Sequence, residues 1–557
     1  MNHIIADYMI TPLGRGTDVT LQAIIEDKTA LLLYTDQYPN VDPFCASMIE
    51  DKPCVEGCTP FESLCIDVIR HALEENELTI ADAEDTIFII STTKGNVELL
   101  ARGEDSSLVD SARTISSFFA NPNAPIVVSN ACISGVCALI TAMRLLEAGR
   151  YKHAVVIGCD VLSAFIVSGF QSLKALSQTP CRPFDARREG LNLGEAAACV
   201  VMTSDSRYAA RSIGSILRGA IHNDANHISG PSRTGEGSLR CLQDMEADAE
   251  RLAFINVHGT ATVYNDEMES LALTRAGMQE VPVNTLKGYL GHTLGTAGIV
   301  ETILSLHAMR QGLVLGTKGF EEQGTTQRIN LCTKVRSTNK KQFIKLISGF
   351  GGCNAAIRVS IERTKQPEVR SAESIRCVAE LKITPEQVIV NGENIPTTQR
   401  GEELLTELYK QRIGDYPKYY KMDTLSRLGF VATEILLQSI DEEHSFAREN
   451  LAVVMGNRSS SVMSDTDYQQ TIAQGDYFPS PSHFVYTLPN IVTGEIAIRN
   501  KYYGETSFYV VDKEEDLWPL THMAFWQSGI HSVLAGWLEC TGQDDFEAHV
   551  MLMTNQK

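Results

Sequence analysis

Along the chain, apolar β-branched runs alternate with stretches whose apolar residues recur at helical spacing. Residues 85–91 (DTIFIIS), 125–128 and 154–158 (AVVIG) read as buried strands, and residues 133–148 as a helix closed by Gly149. Residues 254–257 predict another strand, and residues 266–276 a helix opened by Asp266 and Glu269. Residues 294–311 predict a helix with Ile299, Ile303, Leu306 and Met309 at helical spacing and Gly312 past its end. Strands over 343–347 and 355–361 come next. Upstream, Thr59-Pro60-Phe61-Glu62 forms a capping box with Pro at the first helical position. That helix aligns Phe61, Leu64, Cys65, Val68, Ile69 and Ala72 on one apolar face. Such alternation predicts α/β layers.

The periodicity lapses over residues 363–374 (RTKQPEVRSAES), a domain boundary. Beyond it the opening of the chain returns in weak form. Ile383-Thr384-Pro385 echoes Ile10-Thr11-Pro12, and a helix over 424–439 with a strand over 451–455 echoes the helix after Thr59 and the strand at Ile87. The sequence ends at Lys557 with no second counterpart of the residues beyond about 205. Length alone, 557 residues, predicts about three to five units.

Composition narrows the function. With 43 % hydrophobic and 21 % charged residues the chain is an ordinary globular one. Forty-eight Lys and Arg against 69 Asp and Glu leave a net charge of −21, which disfavours nucleic acid as a partner. The opening MNHIIADYMITPLG lacks the basic and apolar regions of a secretion signal, and no apolar stretch reaches a membrane span. Together with 14 cysteines, read as reduced thiols, this predicts a cytoplasmic protein. Cys45, Cys54, Cys58 and Cys65 contain one short pair with irregular outliers, which argues against zinc; Cys65 already has a place on an apolar face.

Candidate chemistry centres on Val127-Val128-Ser129-Asn130-Ala131-Cys132-Ile133-Ser134-Gly135, a strand running into a helix with a cysteine at the turn. Unpaired N–H groups and the helix dipole at such a turn favour a thiolate and could bind an oxyanion. On this segment alone a buried core cysteine fits equally well. Two histidines shift the balance: His258 after a strand in Val257-His258-Gly259-Thr260, and His292 in Gly291-His292-Thr293 before a helix. Gly349-Phe350-Gly351-Gly352-Cys353-Asn354 adds a Gly-rich loop with one aromatic residue, placed wrongly for a phosphate-binding loop.

On these motifs the chain over residues 1–363 resembles a β-ketoacyl-[acyl carrier protein] synthase of the condensing-enzyme, thiolase-like superfamily. Asn130 through Gly135 resembles the nucleophile motif. Gly169-Phe170 through Ser177, Pro180 through Asp185 and Gly190 through Ala196 resemble the run downstream of it. His258-Gly259-Thr260 with Thr262, Asn265, Asp266 and Glu269 resembles the first histidine motif, and Lys287 with Gly291-His292-Thr293, Gly298 and Glu301 the second. Gly349 through Gly352 with Asn354 resembles the gating loop, although Ser348 replaces a usual aromatic residue and Cys353 a usual Thr. Residues 13–58 look short and diverged for the family.

The resemblance implies an α/β, five-layered α-β-α-β-α fold: residues 1–205 as the nucleophile half and 206–363 as the histidine half. A linker over 364–374 comes next, and then residues 375–557 as an additional α/β half-domain of the same type, like non-catalytic chain-length-factor relatives. That half has Val511-Asp512-Lys513-Glu514 where the nucleophile would lie, so no condensation is expected of it; His483, His522 and His531 are expected on the surface or in packing. The implied reaction is decarboxylative Claisen condensation of malonyl-ACP with an acyl group on Cys132, in fatty-acid or polyketide/polyene-type biosynthesis. His258 and His292 would bind the malonyl thioester carbonyl. Lys287 would orient His292, Glu301 would pair with Lys287, and Phe350 would gate the acyl pocket and, with Cys132, supply the oxyanion hole. Acyl carrier protein is the implied partner, its phosphopantetheine arm replacing any resident cofactor, in a homodimer or a heterodimer with a ketosynthase-like subunit. Arg182, Arg187 and Arg188 are candidates for meeting the acidic carrier. The competing readings are a non-condensing partner subunit and a malonyl decarboxylase.

Overall fold

The computed structural model describes residues 2–362, 374–440, 448–473 and 477–555. One five-stranded motif recurs in it three times. The first copy comprises β1 (Asn2–Thr11), β2 (Thr86–Ser91), β3 (Ile126–Val128), β4 (His153–Asp160) and β5 (Ala196–Thr203). They pair in the order β1–β5–β4–β2–β3, with β2 parallel to both β3 and β4 and β5 antiparallel to its neighbours. Their nearly continuous burial is that of strands covered on both faces. Phe88 and Ile90 face α1 (Pro60–Glu74), while Ile87 and Ile89 face the core built on α2 (Ser134–Glu147). The capping box forms as expected: Thr59 Oγ1 accepts from Glu62 N at 3.2 Å, and Thr59 N donates to Glu62 Oε2 at 2.9 Å. A short helix, α3 (Ala164–Ser172), lies beyond β4.

The second copy, β6 (Gly214–Asn223), β7 (Leu252–Asn256), β8 (Val283–Asn284), β9 (Gln342–Gly349) and β10 (Cys353–Ser360), repeats the order as β6–β10–β9–β7–β8. Its helices include α4 (Val263–Arg275) and α5 (Ala297–Arg310). Between the two sheets α2 and α5 touch backbone to backbone. A Cβ on Gly135 would lie 2.8 Å from Gly295 O, and one on Gly298 2.6 Å from Val136 N, so only glycine allows this approach. The layers are thus α-β-α-β-α. Helix α4 begins three residues before the expected Asp266, because Asp266 and Glu269 serve tertiary N–H donors rather than their own helix end.

In the third copy β11 (Arg376–Thr384), β12 (Ala452–Asn457), β13 (Thr506–Val510), β14 (Ser532–Gly542) and β15 (Asp545–Thr554) pair as β11–β15–β14–β12–β13. Its helices include α6 (Thr424–Gln438), α7 (Pro481–Tyr486), α8 (Ile491–Asn500) and α9 (Glu514–His522). Helices α1 and α6 are both 15 residues long, and Asp423 caps α6 as Thr59 caps α1. Strand β13 pairs antiparallel with β3, Tyr509 opposite Val128 and Val510 opposite Val127. The first and third copies therefore form one continuous sheet with an approximate twofold between β3 and β13. The expected linker over 364–374 lies, apart from Ser374, outside the described residues. Among the described residues no helix is long and apolar enough to cross a membrane, and no His, Cys, Asp or Glu cluster could hold a metal ion.

Candidate active site

Strand β3 leads into a 3-10 turn, Ala131–Ile133, before α2 begins. Ala131 is held at φ 49°, a costly conformation for a residue with a Cβ. Ser134 secures the turn, accepting from Asn130 N at 2.8 Å and donating to Ala131 O at 2.6 Å. Cys132 is buried here. Burial pushes its thiol up to about 12, with Lys287 opposing and Asp160 adding to the rise. The resting sulfur is therefore a thiol, not the thiolate expected from the helix end; desolvation outweighs the dipole.

His258 lies just past β7 and His292 in the turn before α5. That turn packs against the Cys132 turn, as the Gly135–Gly295 approach shows. The two imidazoles meet edge to face with centroids 5.0 Å apart. Burial, reinforced by Lys287 and Lys345, holds both well below the usual histidine range, so both are neutral. Nδ1 of His258 and both ring nitrogens of His292 are buried with no partner among the described residues. Such groups are costly to bury unless something else completes them.

Backbone and carboxylate contacts fix this pair. Glu269 accepts from His258 N and Gly259 N, each at 2.7 Å, and burial pushes its carboxyl up to about 7. Lys287 donates to Glu301 at 2.8 Å, the expected pair. Sequence reasoning missed Lys345, which shares Glu301, and Asp160, which accepts from Thr93 N at 2.9 Å and Thr296 N at 3.2 Å. A lysine inside the apolar run Phe343-Ile344-Lys345-Leu346-Ile347 was the available signal for the first.

The turn joining β9 to β10 holds Gly351 and Gly352 at φ 90° and 71°. A Cβ on Gly349 would lie 3.2 Å from Cys132 N, so this loop runs against the Cys132 amide. Phe350 stacks on Phe170 at 6.2 Å. A small apolar pocket opens beside Cys132, bounded by Lys94, Phe170, Leu294 and Phe350 and, from the third copy, by Phe484, Thr487 and Leu488. Lys94 is buried and donates to Ser461 Oγ at 3.1 Å, Asp465 Oδ1 at 2.5 Å and Thr487 O. Asn490 Nδ2 donates to Phe350 O at 2.8 Å. The third copy thus walls the cavity and braces the loop while bringing no nucleophile; Asp512, past β13, pairs with Arg113 and Arg458. His483, His522 and His531 are exposed.

The arginines expected to meet a carrier are differently employed. Arg188 is buried, donating to Asp185 O at 2.9 Å and Gly324 O at 2.8 Å, while Arg182 and Arg187 are both paired with Glu321. Arg188 is thereby withdrawn from any docking role, and the other two present little uncompensated charge.

Comparison with known proteins agrees with this geometry. Residues 26–207 match the family model described as beta-ketoacyl synthase, N-terminal domain, and residues 213–321 the corresponding C-terminal domain. Nodulation protein E of Rhizobium leguminosarum bv. trifolii is 28 % identical over 288 residues, 50 % of this chain and 71 % of the relative. The 3-oxoacyl-[acyl-carrier-protein] synthase 2 of Coxiella burnetii (strain RSA 493 / Nine Mile phase I) is 25 % identical over 400 residues, 63 % of this chain and 96 % of the relative. The solved PfaC keto synthase–chain length factor superposes with a TM-score of 0.76 at 14 % identity, covering 99 % of this chain and 78 % of its own, a likeness of fold. Cysteine turn and histidine pair lie within the two matched domains and the Phe350 loop lies beyond the second, and the chain belongs to the β-ketoacyl synthase family of condensing enzymes.

Proposed function

We propose that the chain joins an acyl group held on Cys132 to a two-carbon unit from malonyl-acyl carrier protein. The Cys132 sulfur attacks an acyl thioester; the acyl group moves to Sγ and the carrier thiol departs with the proton. The malonyl thioester carbonyl then accepts hydrogen bonds from His258 and His292. Cleavage of the bond to its carboxylate releases CO2 and leaves the electron pair in an enolate. That carbon attacks the acyl-Cys132 carbonyl, the amides of Cys132 and Phe350 receive the oxyanion, and collapse frees the Cys132 thiolate and a 3-oxoacyl carrier. The observation that carries this reading is the pair of buried, neutral imidazoles with unsatisfied nitrogens, suited to donate to one oxygen. The reading requires no resident metal or organic cofactor, since the phosphopantetheine arm arrives on the carrier.

The third copy supports a further part of the reading. Because β13 occupies the edge of β3, the chain supplies its own ketosynthase-like partner in cis, and that partner closes the acyl cavity through Phe484, Thr487 and Leu488. Incubation with acyl and malonyl carrier protein, with intact-mass analysis of the products, tests the chemistry. Expected are an acyl adduct absent in Cys132→Ala and a 3-oxoacyl product. Malonyl loss without an adduct would identify a decarboxylase, and neither event a non-condensing subunit.

A further inference from the structure

Lys345 projects from β9 into the interior and is fully buried. Its Nζ donates to Glu301 Oε2, to Asn256 Oδ1 at 2.7 Å and to Val257 O at 3.4 Å. The other oxygen of Glu301 accepts from Lys287 at 2.8 Å. Two ammonium groups and one carboxylate are thus enclosed together, leaving one positive charge without a counterion in the triad. Burying such a charge is expensive. The location of the triad is informative. Asn256 and Val257 directly precede His258, Lys287 begins the turn that leads to His292, and Glu301 lies on α5 behind both.

We propose that Lys345 is a positioning residue of the condensation: through Glu301 and the end of β7 it fixes the His258 donor, and it leaves the triad with a net positive charge beside both imidazoles. That charge opposes imidazolium formation, so the histidines stay neutral donors, and it favours negative charge as it builds on the enolate oxygen. Burial pushes the Lys345 ammonium down to about 8, with Glu301 and Glu269 opposing that fall, so the ammonium persists at neutral pH. Glu269 on α4 is committed to the His258 and Gly259 amides, and Asp266 faces Phe184 N and Arg188. Asp160 on β4 is committed to Thr92, Thr93 and Thr296, and Cys132 is a thiol at rest.

The idea rests on the reading under Proposed function for its catalytic half only. In the full chain labelled with ¹³Cε1-histidine, Lys345→Met should move the titration of His258 and His292 upward by about one unit. In the same variant, malonyl carrier protein decarboxylation should fall by about tenfold with its acid limb displaced to higher pH, while Cys132 acylation stays within about threefold. Lys345→Gln, which keeps a donor to Glu301 without the charge, carries the same expectations should the methionine variant fail to fold. Unmoved histidine titrations overturn the proposal, as does an equal loss of acylation and decarboxylation. Should the wild-type chain fail to decarboxylate, the proposed reaction falls, and the titrations still decide the role of Lys345.

Discussion

Asp160 is the residue on which three segments converge. One carboxylate oxygen accepts from Thr92 Oγ1 at 3.1 Å, Thr93 N at 2.9 Å and Thr93 Oγ1 at 2.7 Å, and the other from Thr296 N at 3.2 Å. The end of β4, the loop after β2 and the start of α5 are joined through it. Burial pushes its carboxyl up to about 6 even though every one of these donors favours the charged form. An unfolded aspartate ionises near pH 4, so between about 4 and 6 the native chain binds more protons than the unfolded chain. Its contribution to stability therefore falls as pH rises through that interval, by about 3 kcal/mol. Asp160→Asn cannot titrate. The stability of wild type relative to the variant should decline from pH 4 to 7 in urea denaturation at a series of pH values; a constant difference would show that the carboxyl ionises normally. The same substitution removes a negative charge that raises the Cys132 thiol, so Cys132 should alkylate faster with iodoacetamide at pH 8, scored by peptide mass.

Among elements, α8 and the β9–β10 turn determine each other's position. A Cβ on Gly494 would lie 2.6 Å from Gly351 O, a backbone atom that moves only with its loop. Gly494→Ala should therefore fold at a cost of about 1–3 kcal/mol while displacing the Phe350 loop, and the condensation kcat should drop more than acylation of Cys132 does. Asn490→Ala removes one hydrogen bond to Phe350 O, worth about 1 kcal/mol, and should act in the same direction more weakly. Equal rates in all three proteins would dissociate the Phe350 loop from α8. Neither contact was legible in the sequence, and the reason is physical. Helix α1 could be read from Thr59 through Ala72 because capping and periodicity are local. Cys132, His258 and His292 stood out because each sits at a strand or helix junction among small residues. By contrast, the ties of Lys94 to Asp465 and Arg188 to Gly324 link positions far apart in the chain, and no local pattern encodes them. The charge state of Cys132 escaped for the same reason, since the burial that sets it comes from the packing of separate segments.

At the scale of the whole molecule, the β3–β13 pairing joins the third copy to the first in one sheet. One of the buried ties between these copies is ionic. Arg144 on α2 donates to Glu505 through both terminal nitrogens, at 3.0 and 2.8 Å, with each side chain almost fully enclosed. Glu505 also accepts from Ser507 Oγ at 2.8 Å, and Arg144 reaches Gln527 at 3.4 Å. Enclosed pairs of this kind add little over a well-packed apolar pair, yet losing one member strands the other's charge. Glu505→Leu should thus cost about 3–5 kcal/mol, and Arg144→Met in the same background should recover most of that loss. Urea denaturation of the four proteins of this cycle measures the coupling. Because the tie spans the two copies, Glu505→Leu should also separate unfolding into two transitions, the third copy detaching first, with condensation lost at the first of them. Additive losses, or a single transition retained in Glu505→Leu, would show that the apolar contacts around β3 and β13 hold the copies together without the ion pair.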